Sequence, residues 1–289
     1  MKKLLLAPIA AICFLIADAQ ISMPQPSPAG SVSSRVGLTD VEINYFRPGV
    51  KGRKLFGTGD GFLEQYGKLW RTGANGGSTI TFSTDVKVGG DDVKAGEYMI
   101  LSVPGASEWE FILYSDPSIG GNMSRYKEED AVLKVKVPAM TLSSSVERLT
   151  FNISDISEDN TSANIHFAWG NASFKVPMTV AFDEAVMAEI ATKTKVNPVH
   201  YVQAANYYFA AEKDLDQALE WVNLYLAEGE NSRQFWNVHL KARILAKLGK
   251  DKEAIATAED SMAKAKANPG GDFGYVKRNE DLIAEVKGK

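Results

Sequence analysis

Apolar and polar residues alternate with a period of two over much of the first two-thirds of the chain. In Val41-Glu42-Ile43-Asn44-Tyr45 the odd positions are apolar, and in Ala163-Asn164-Ile165-His166-Phe167-Ala168-Trp169 the odd positions again share one face. Short β-branched and aromatic runs broken by Gly, Pro, Asn and Asp predict strands at 31–36, 41–46, 78–82, 97–103, 108–114, 132–137, 146–153, 162–169 and 173–181. Gly89-Gly90-Asp91-Asp92 marks one hairpin turn and Lys94-Ala95-Gly96 a second, while Pro104-Gly105-Ala106-Ser107 joins two more strands. Many short antiparallel strands with two faces to cover argue for an all-β sandwich, jelly-roll-like, rather than a parallel α/β sheet.

The pattern turns helical near Asp183. Helices are predicted at 183–194, 197–211, 215–227, 231–248, 251–267 and 275–286, with Asn197 as N-cap and Pro198 at the first helical position. Gly229, Gly249 and Pro269-Gly270-Gly271 supply the stops. Glu212-Lys213-Asp214-Leu215-Asp216-Gln217-Ala218-Leu219 resembles Leu248-Gly249-Lys250-Asp251-Lys252-Glu253-Ala254-Ile255, and Ala218 and Ala254 are 36 positions apart. That offset is close to the tetratricopeptide period of about 34, and small residues suit a close helix crossing. Val202 and Val238 stand where that family's Trp is sought, and its first Pro is also missing; a plain helical bundle is the competing reading. Two repeats need neighbours to cover their apolar faces, so the outer helices or the β domain are expected to cap them. The expected organisation is a β domain over 24–181 and a tetratricopeptide-like all-α domain over 183–289.

The first residues bear on the compartment. Lys2 and Lys3 precede an apolar run over 4–16, then Ala17-Asp18-Ala19 before Gln20. This is the order of a cleavable secretory signal at 1–19, and the run is shorter than the ~20 residues of a bilayer span. The expected location is periplasmic or extracellular. Ile12 precedes Cys13, where a lipid anchor needs a small residue, so no lipoprotein is expected. Cys13 is the only cysteine and lies inside the signal, leaving no disulfide or cysteine-held metal afterwards. Loss of 1–19, which carry Lys2, Lys3 and Asp18, takes the formal charge from −4 to −5. A mildly acidic chain without a basic tract or nucleic-acid motif is a poor nucleic-acid binder. No later stretch is long and apolar enough for a membrane span.

Catalytic motifs are scarce. Gly105-Ala106-Ser107-Glu108-Trp109 lacks the second glycine of a nucleophile elbow. Gly67-Lys68 is followed by Leu69 rather than Ser or Thr, which defeats a P-loop reading. His166, His200 and His239 have no partner at metal-ligand spacing, so no metal and no cofactor are expected, and no catalytic residue is assigned. What stands out is residues 47–83, where Arg47, Lys51, Arg53, Lys68 and Arg71 are interleaved with Phe56, Tyr66, Trp70 and glycines. Such a loop is too rich in buriable residues to be disordered and too long to be a simple connection. Guanidinium forks suit carboxylates, sulfates or phosphates, and an adjacent aromatic face suits a sugar or ring. Arg53, Tyr66, Trp70, Arg71 and Asn75 are therefore the candidate pocket for a small polar or anionic ligand. The structural alternative has Trp70 plugging the core and the arginines bracing loop carbonyls or pairing with Asp60 and Glu64.

The blocks RPGVKGRKLFG, YGKLWRTGAN, STITFSTDVKVGG, AGEYMILSVPG and EWEFILY, in that order, resemble the domain-of-unknown-function family 2911 over about residues 24–181. The resemblance implies a secreted or envelope protein, chiefly of Bacteroidetes-type bacteria, with helical repeats often following. Two departures stand out: Gly76 and Gly170 occupy positions where the family pattern often carries an acidic residue. Two functions follow as expectations. The first is a non-enzymatic binding protein, with a ligand pocket in the β domain and a peptide or protein partner on the helices. The alternative is a carbohydrate- or ester-directed hydrolase with its site in residues 47–75, which needs an acid/base pair, with Asp60 and Glu64 as candidates.

Overall fold

A computed structural model describes residues 23–194 and 198–288. The expected signal at 1–19 and the Asn197 cap lie outside the described residues. The chain divides into two compact units, with the boundary between Ala181 and Phe182.

The first unit is mostly β. Its main strands are β1 (Ala29–Val36), β2 (Thr39–Phe46), β5 (Ser78–Phe82), β6 (Val86–Val88), β7 (Asp91–Val93), β8 (Gly96–Val103), β9 (Glu108–Tyr114), β10 (Ala131–Pro138), β11 (Met140–Ser154) and β12 (Ser162–Val180). The two-residue strands β3 (Phe56–Gly57) and β4 (Glu64–Gln65) pair in parallel inside the 47–71 loop. A six-stranded sheet runs β1-β2-β5-β8-β9-β10 and a four-stranded sheet runs β11-β12-β6-β7. Strict alternation puts Val41, Ile43 and Tyr45 of β2 inward and Asp40, Glu42 and Asn44 outward. The sheets meet through aromatic side chains: Tyr45 against Phe151 at 5.4 Å, Trp109 against Phe174 at 5.2 Å and Phe111 against Phe174 at 6.2 Å.

Two features depart from the expected strands. The predicted strands at 162–169 and 173–181 are one continuous strand, β12, and β11 begins six residues earlier than predicted, at Met140. The cause is a change of parity. Ala163, Ile165, Phe167 and Trp169 are buried at odd positions, but Phe174, Val176, Met178 and Val180 at even ones. The strand absorbs the switch with irregular register against β11 and a left-handed Gly170 at φ 59°. β8 and β9 are buried on both faces, because Met99, Leu101, Ile112 and Tyr114 form a second small core with Ile119, Met123 and Tyr126 on the outer side of the larger sheet.

Among the described residues the second unit holds six α-helices: α1 (Asp183–Lys193), α2 (Tyr201–Ala210), α3 (Leu215–Ala227), α4 (Phe235–Lys247), α5 (Asp251–Ala267) and α6 (Tyr275–Lys287). The side chain of Asp214 caps α3 by accepting from the Gln217 N–H at 3.0 Å. Consecutive helices from α2 onward pack on one another. Ala218 sits in a core with Ala205, Phe209, Val222, Leu240 and Ile244, and Ala254 in one with Leu245, Ala246 and Val286. Among the described residues no helix is long and apolar enough to cross a membrane.

Candidate functional site

The 47–71 loop is held as firmly as a strand. Leu63 N–H donates to the Lys54 carbonyl at 2.9 Å, Glu64 N–H to that of Leu55 at 2.8 Å and Tyr66 N–H to that of Gly57 at 2.9 Å. A Cβ on Gly57 would stand 2.4 Å from the Phe62 ring, so any larger residue there would displace that ring. Trp70 and Ser102 then exchange backbone hydrogen bonds at 2.8 and 3.0 Å, joining the loop to β8.

That pairing decides where the predicted residues go. In an extended segment successive side chains point to opposite faces. Trp70, only 3% exposed, turns inward and stacks on Trp169 at 6.0 Å, with its edge contacts to Phe56 and Phe167. Leu69 turns outward onto the Met99–Ile119 cluster. Arg71 is half-buried on that outer side, since a Cβ on Gly121 would lie 3.4 Å from its Cδ. Asn75 is exposed and donates to the Gln25 Oε1 at 3.3 Å and the Ser27 carbonyl at 3.4 Å. Arg53 and Tyr66, in contrast, line one cavity of about 310 Å³. The five predicted residues therefore do not share a pocket: two line it, Trp70 packs behind it in the core, and Arg71 and Asn75 lie elsewhere.

The cavity's floor is aromatic, from Phe56, Trp109 and Trp169, and its polar wall comes from Thr141, Ser145 and Asn171. Sequence reasoning missed all of the β11 and β12 contributors. Trp169, Gly170, Asn171 and Ala172 line it because the parity break falls there, and bulges commonly re-aim side chains beside sites. A parity switch read along 163–180 is the signal that would have found them. Arg53 donates through Nε to the Val50 carbonyl at 3.1 Å and through Nη2 to that of Gly49 at 2.5 Å, which holds the exposed guanidinium at the rim with donors to spare. Trp169 is 1% exposed and its indole N–H has no hydrogen-bond partner, nor has that of Trp70.

The charge pattern sharpens the picture. Elsewhere in the β unit Arg35, Lys87, Lys94, Arg125, Lys134, Lys136 and Lys175 each have a carboxylate partner, and only Lys127 and Arg148 among the described residues do not. Among the described residues Arg47, Lys51, Arg53, Lys54, Lys68 and Arg71 have no such ion pair. Glu64 is the one carboxylate of this loop with a strongly moved pKa: burial lifts it from the usual 4.5 to about 7, against the opposing pull of Arg71. Glu64 does not line the cavity, and the residues that do include no carboxylate and no histidine.

The other histidines offer no catalytic pairing. His166 Nε2 lies 3.0 Å from Ser173 Oγ, but that hydroxyl donates to the Phe167 carbonyl at 2.8 Å and is fully buried. His166 must therefore supply the proton of their contact, the reverse of nucleophile activation. Among the described residues no three His, Cys, Asp or Glu side chains gather as a metal site.

The family model described as a protein of unknown function, DUF2911, matches residues 27–178. That is more than half of the 289-residue chain, and the chain belongs to this family. No curated protein and no solved structure matches it.

Proposed function

We propose that this is an exported binding protein whose β unit takes a small, polar, anionic ligand in the cavity between the 47–71 loop and the β11–β12 irregularity. Arg53 supplies the anion contact, Tyr66 a hydroxyl, and Trp109 and Trp169 the apolar floor. The observation that carries this reading is the convergence of an exposed guanidinium and a tyrosine on an aromatic-floored cavity within a cluster of cations lacking carboxylate partners. Its volume is at the lower end of small-ligand sites. Export rests on the signal-like residues 1–19, which put the protein in the periplasm or outside the cell.

The helical unit completes the reading as a tetratricopeptide-like surface for a peptide or protein partner. The burial of Ala218 and Ala254 at equivalent points of the two repeats supports that assignment. The jelly-roll outline draws support from two packed sheets, but the larger sheet's order follows a meander more than a jelly roll. The hydrolase alternative has one observation in its favour, the raised Glu64 carboxyl, but Glu64 does not line the cavity and the residues that do offer no carboxylate or histidine as an acid/base pair.

The reading is tested by titrating acidic sugars and small carboxylates into the chain lacking residues 1–19. Saturable binding that Arg53→Gln weakens by roughly tenfold or more supports it, since a charge-assisted bond is worth that much. Saturable movement of the Trp109 and Trp169 indole signals that is unchanged in Arg53→Gln and in Tyr66→Phe contradicts it, as does binding that moves neither signal in any variant.

A further inference from the structure

The helical unit has a cleft of its own, of about 460 Å³, and its walls are α2, α4 and α6. Trp236, His239 and Arg243 enter it from α4, Tyr275 and Arg278 from α6, and Asn206 from α2. The spacings 236/239/243 and 275/278 put each set on one helix face.

The arginines are pre-positioned. Arg243 lies over the Phe209 ring at 4.5 Å and Arg278 over that of Tyr275 at 4.7 Å. Stacking fixes the plane of a guanidinium and leaves its edge donors open. Both are exposed, and neither has a carboxylate within ion-pair distance among the described residues, whereas Lys213, Arg233, Lys247, Lys264 and Lys277 do. Asp281, at the rim, is engaged by Lys277.

Behind them His239 is 9% exposed and its tautomer is set from within. Its Nδ1 lies 2.7 Å from Asn279 Oδ1, and Asn279 Nδ2 donates to Ser261 Oγ at 3.0 Å and to the Tyr275 carbonyl at 2.7 Å. Ser261 Oγ in turn donates to the Phe235 carbonyl at 2.7 Å. With the amide's donors spent, Asn279 can only accept from His239, so Nδ1 carries the proton and Nε2 is an acceptor. Burial, with Arg243 and Arg278 adding positive charge, lowers the imidazole's basicity and keeps it neutral. A neutral acceptor beside two open guanidinium groups is a paired recognition element, because an acid group satisfies the arginines and a hydroxyl or N–H satisfies the ring.

We propose that this cleft is a second binding site, for a compact organic oxyanion that also carries a hydrogen-bond donor: the carboxylate or phosphate on Arg243 and Arg278, the donor on His239 Nε2, and the body against Trp236 and Tyr275. A compact anion is favoured over an extended acidic segment because the cleft holds only about 460 Å³ and offers two open guanidinium groups, room for one acid group and a small body. The site shares no residue with the β-unit cavity.

The test is calorimetric titration of the chain lacking residues 1–19 with 4-hydroxybenzoate, benzoate, glycerol phosphate and an acetylated acidic pentapeptide. The expected result is saturable binding of 4-hydroxybenzoate or glycerol phosphate, the stronger of the two identifying carboxylate or phosphate as the source. 4-Hydroxybenzoate should exceed benzoate. Arg243→Gln and Arg278→Gln should each weaken binding by roughly tenfold with parental melting curves, since both side chains are exposed. Arg53→Gln should leave it unchanged, which separates this site from the β-unit cavity. The proposal is overturned if neither small acid binds up to about 10 mM, if the double arginine variant binds as the parent does, if the pentapeptide binds where the small acids do not, or if binding is lost on Arg53→Gln.

Discussion

Trp70 and Trp169 stack with their planes 15° apart and their ring centroids 6.0 Å apart, one from the basic loop and the other from the irregular point of β12. This contact ties the segment with the most unpaired cations to the strand that bends around the cavity. It makes the loop part of the core and explains how a stretch rich in glycine and charge holds a fixed shape.

Replacing Trp70 by Ala should therefore cost about 3–5 kcal/mol, the range for a buried aromatic. Trp70→Phe should cost much less, because it keeps the ring and removes an indole N–H that is buried without a partner. Urea melts of the two variants check this; equal losses would contradict the packing described.

Arg53 should behave differently from Trp70. Its bonds to the Gly49 and Val50 carbonyls are exposed or only partly buried, so Arg53→Gln should cost no more than about 1 kcal/mol in stability. Ligand binding should fall far more than stability does. Parallel melts and titrations separate the two effects.

Glu64 gives the fold a pH dependence of definite sign. Its carboxyl is raised from 4.5 to about 7 by burial, so between those values the folded state binds more protons than the unfolded state. Stability from this group then falls as pH rises through the window and is lowest above it. Allowing for solvent screening of a half-buried group, the change is about 1–2 kcal/mol between roughly pH 5 and 8. Glu64→Gln should flatten that slope and stabilise the protein at the upper end. Denaturant melts at several pH values test it, and a slope unchanged in the variant would refute it.

Ala218 and Ala254 are both almost fully buried at helix contacts. Leu at either position forces extra volume into a close approach and should cost about 1–3 kcal/mol. Thermal melts matching the parent for both variants would count against close crossings there.

Much of the architecture was legible. Residues 78–82 and 108–114 were read as strands with the bounds they have, because alternation or dense β-formers are bracketed by turn residues. The α3 and α5 spans were legible from their Asp-rich starts and from the Glu228-Gly229 and Pro269-Gly270 stops. β12 was read as two strands because its inward parity changes near Gly170, which local pattern cannot distinguish from a break. The start of β11 was missed because Met140 to Ser145 is largely Ser and Thr, mostly exposed, and gains its order from irregular pairing with β12. The site was half legible for a similar reason. Residue types marked the loop, but only the Trp70–Ser102 pairing separates inward Trp70 from outward Arg71, and that partner is 32 residues away.

The most direct measurement follows the indole N–H resonances of the chain lacking residues 1–19 while an acidic sugar or small carboxylate that binds is added. Trp109 and Trp169 line the β-unit cavity, whereas Trp221 and Trp236 belong to the helical unit. The account predicts that the Trp109 and Trp169 signals move with saturation, that the Trp221 signal does not, and that Arg53→Gln abolishes the change at the same concentrations. With the helical cleft disabled by Arg243→Gln and Arg278→Gln, saturable binding that leaves Trp109 and Trp169 unmoved, or that persists undiminished in Arg53→Gln, would contradict it.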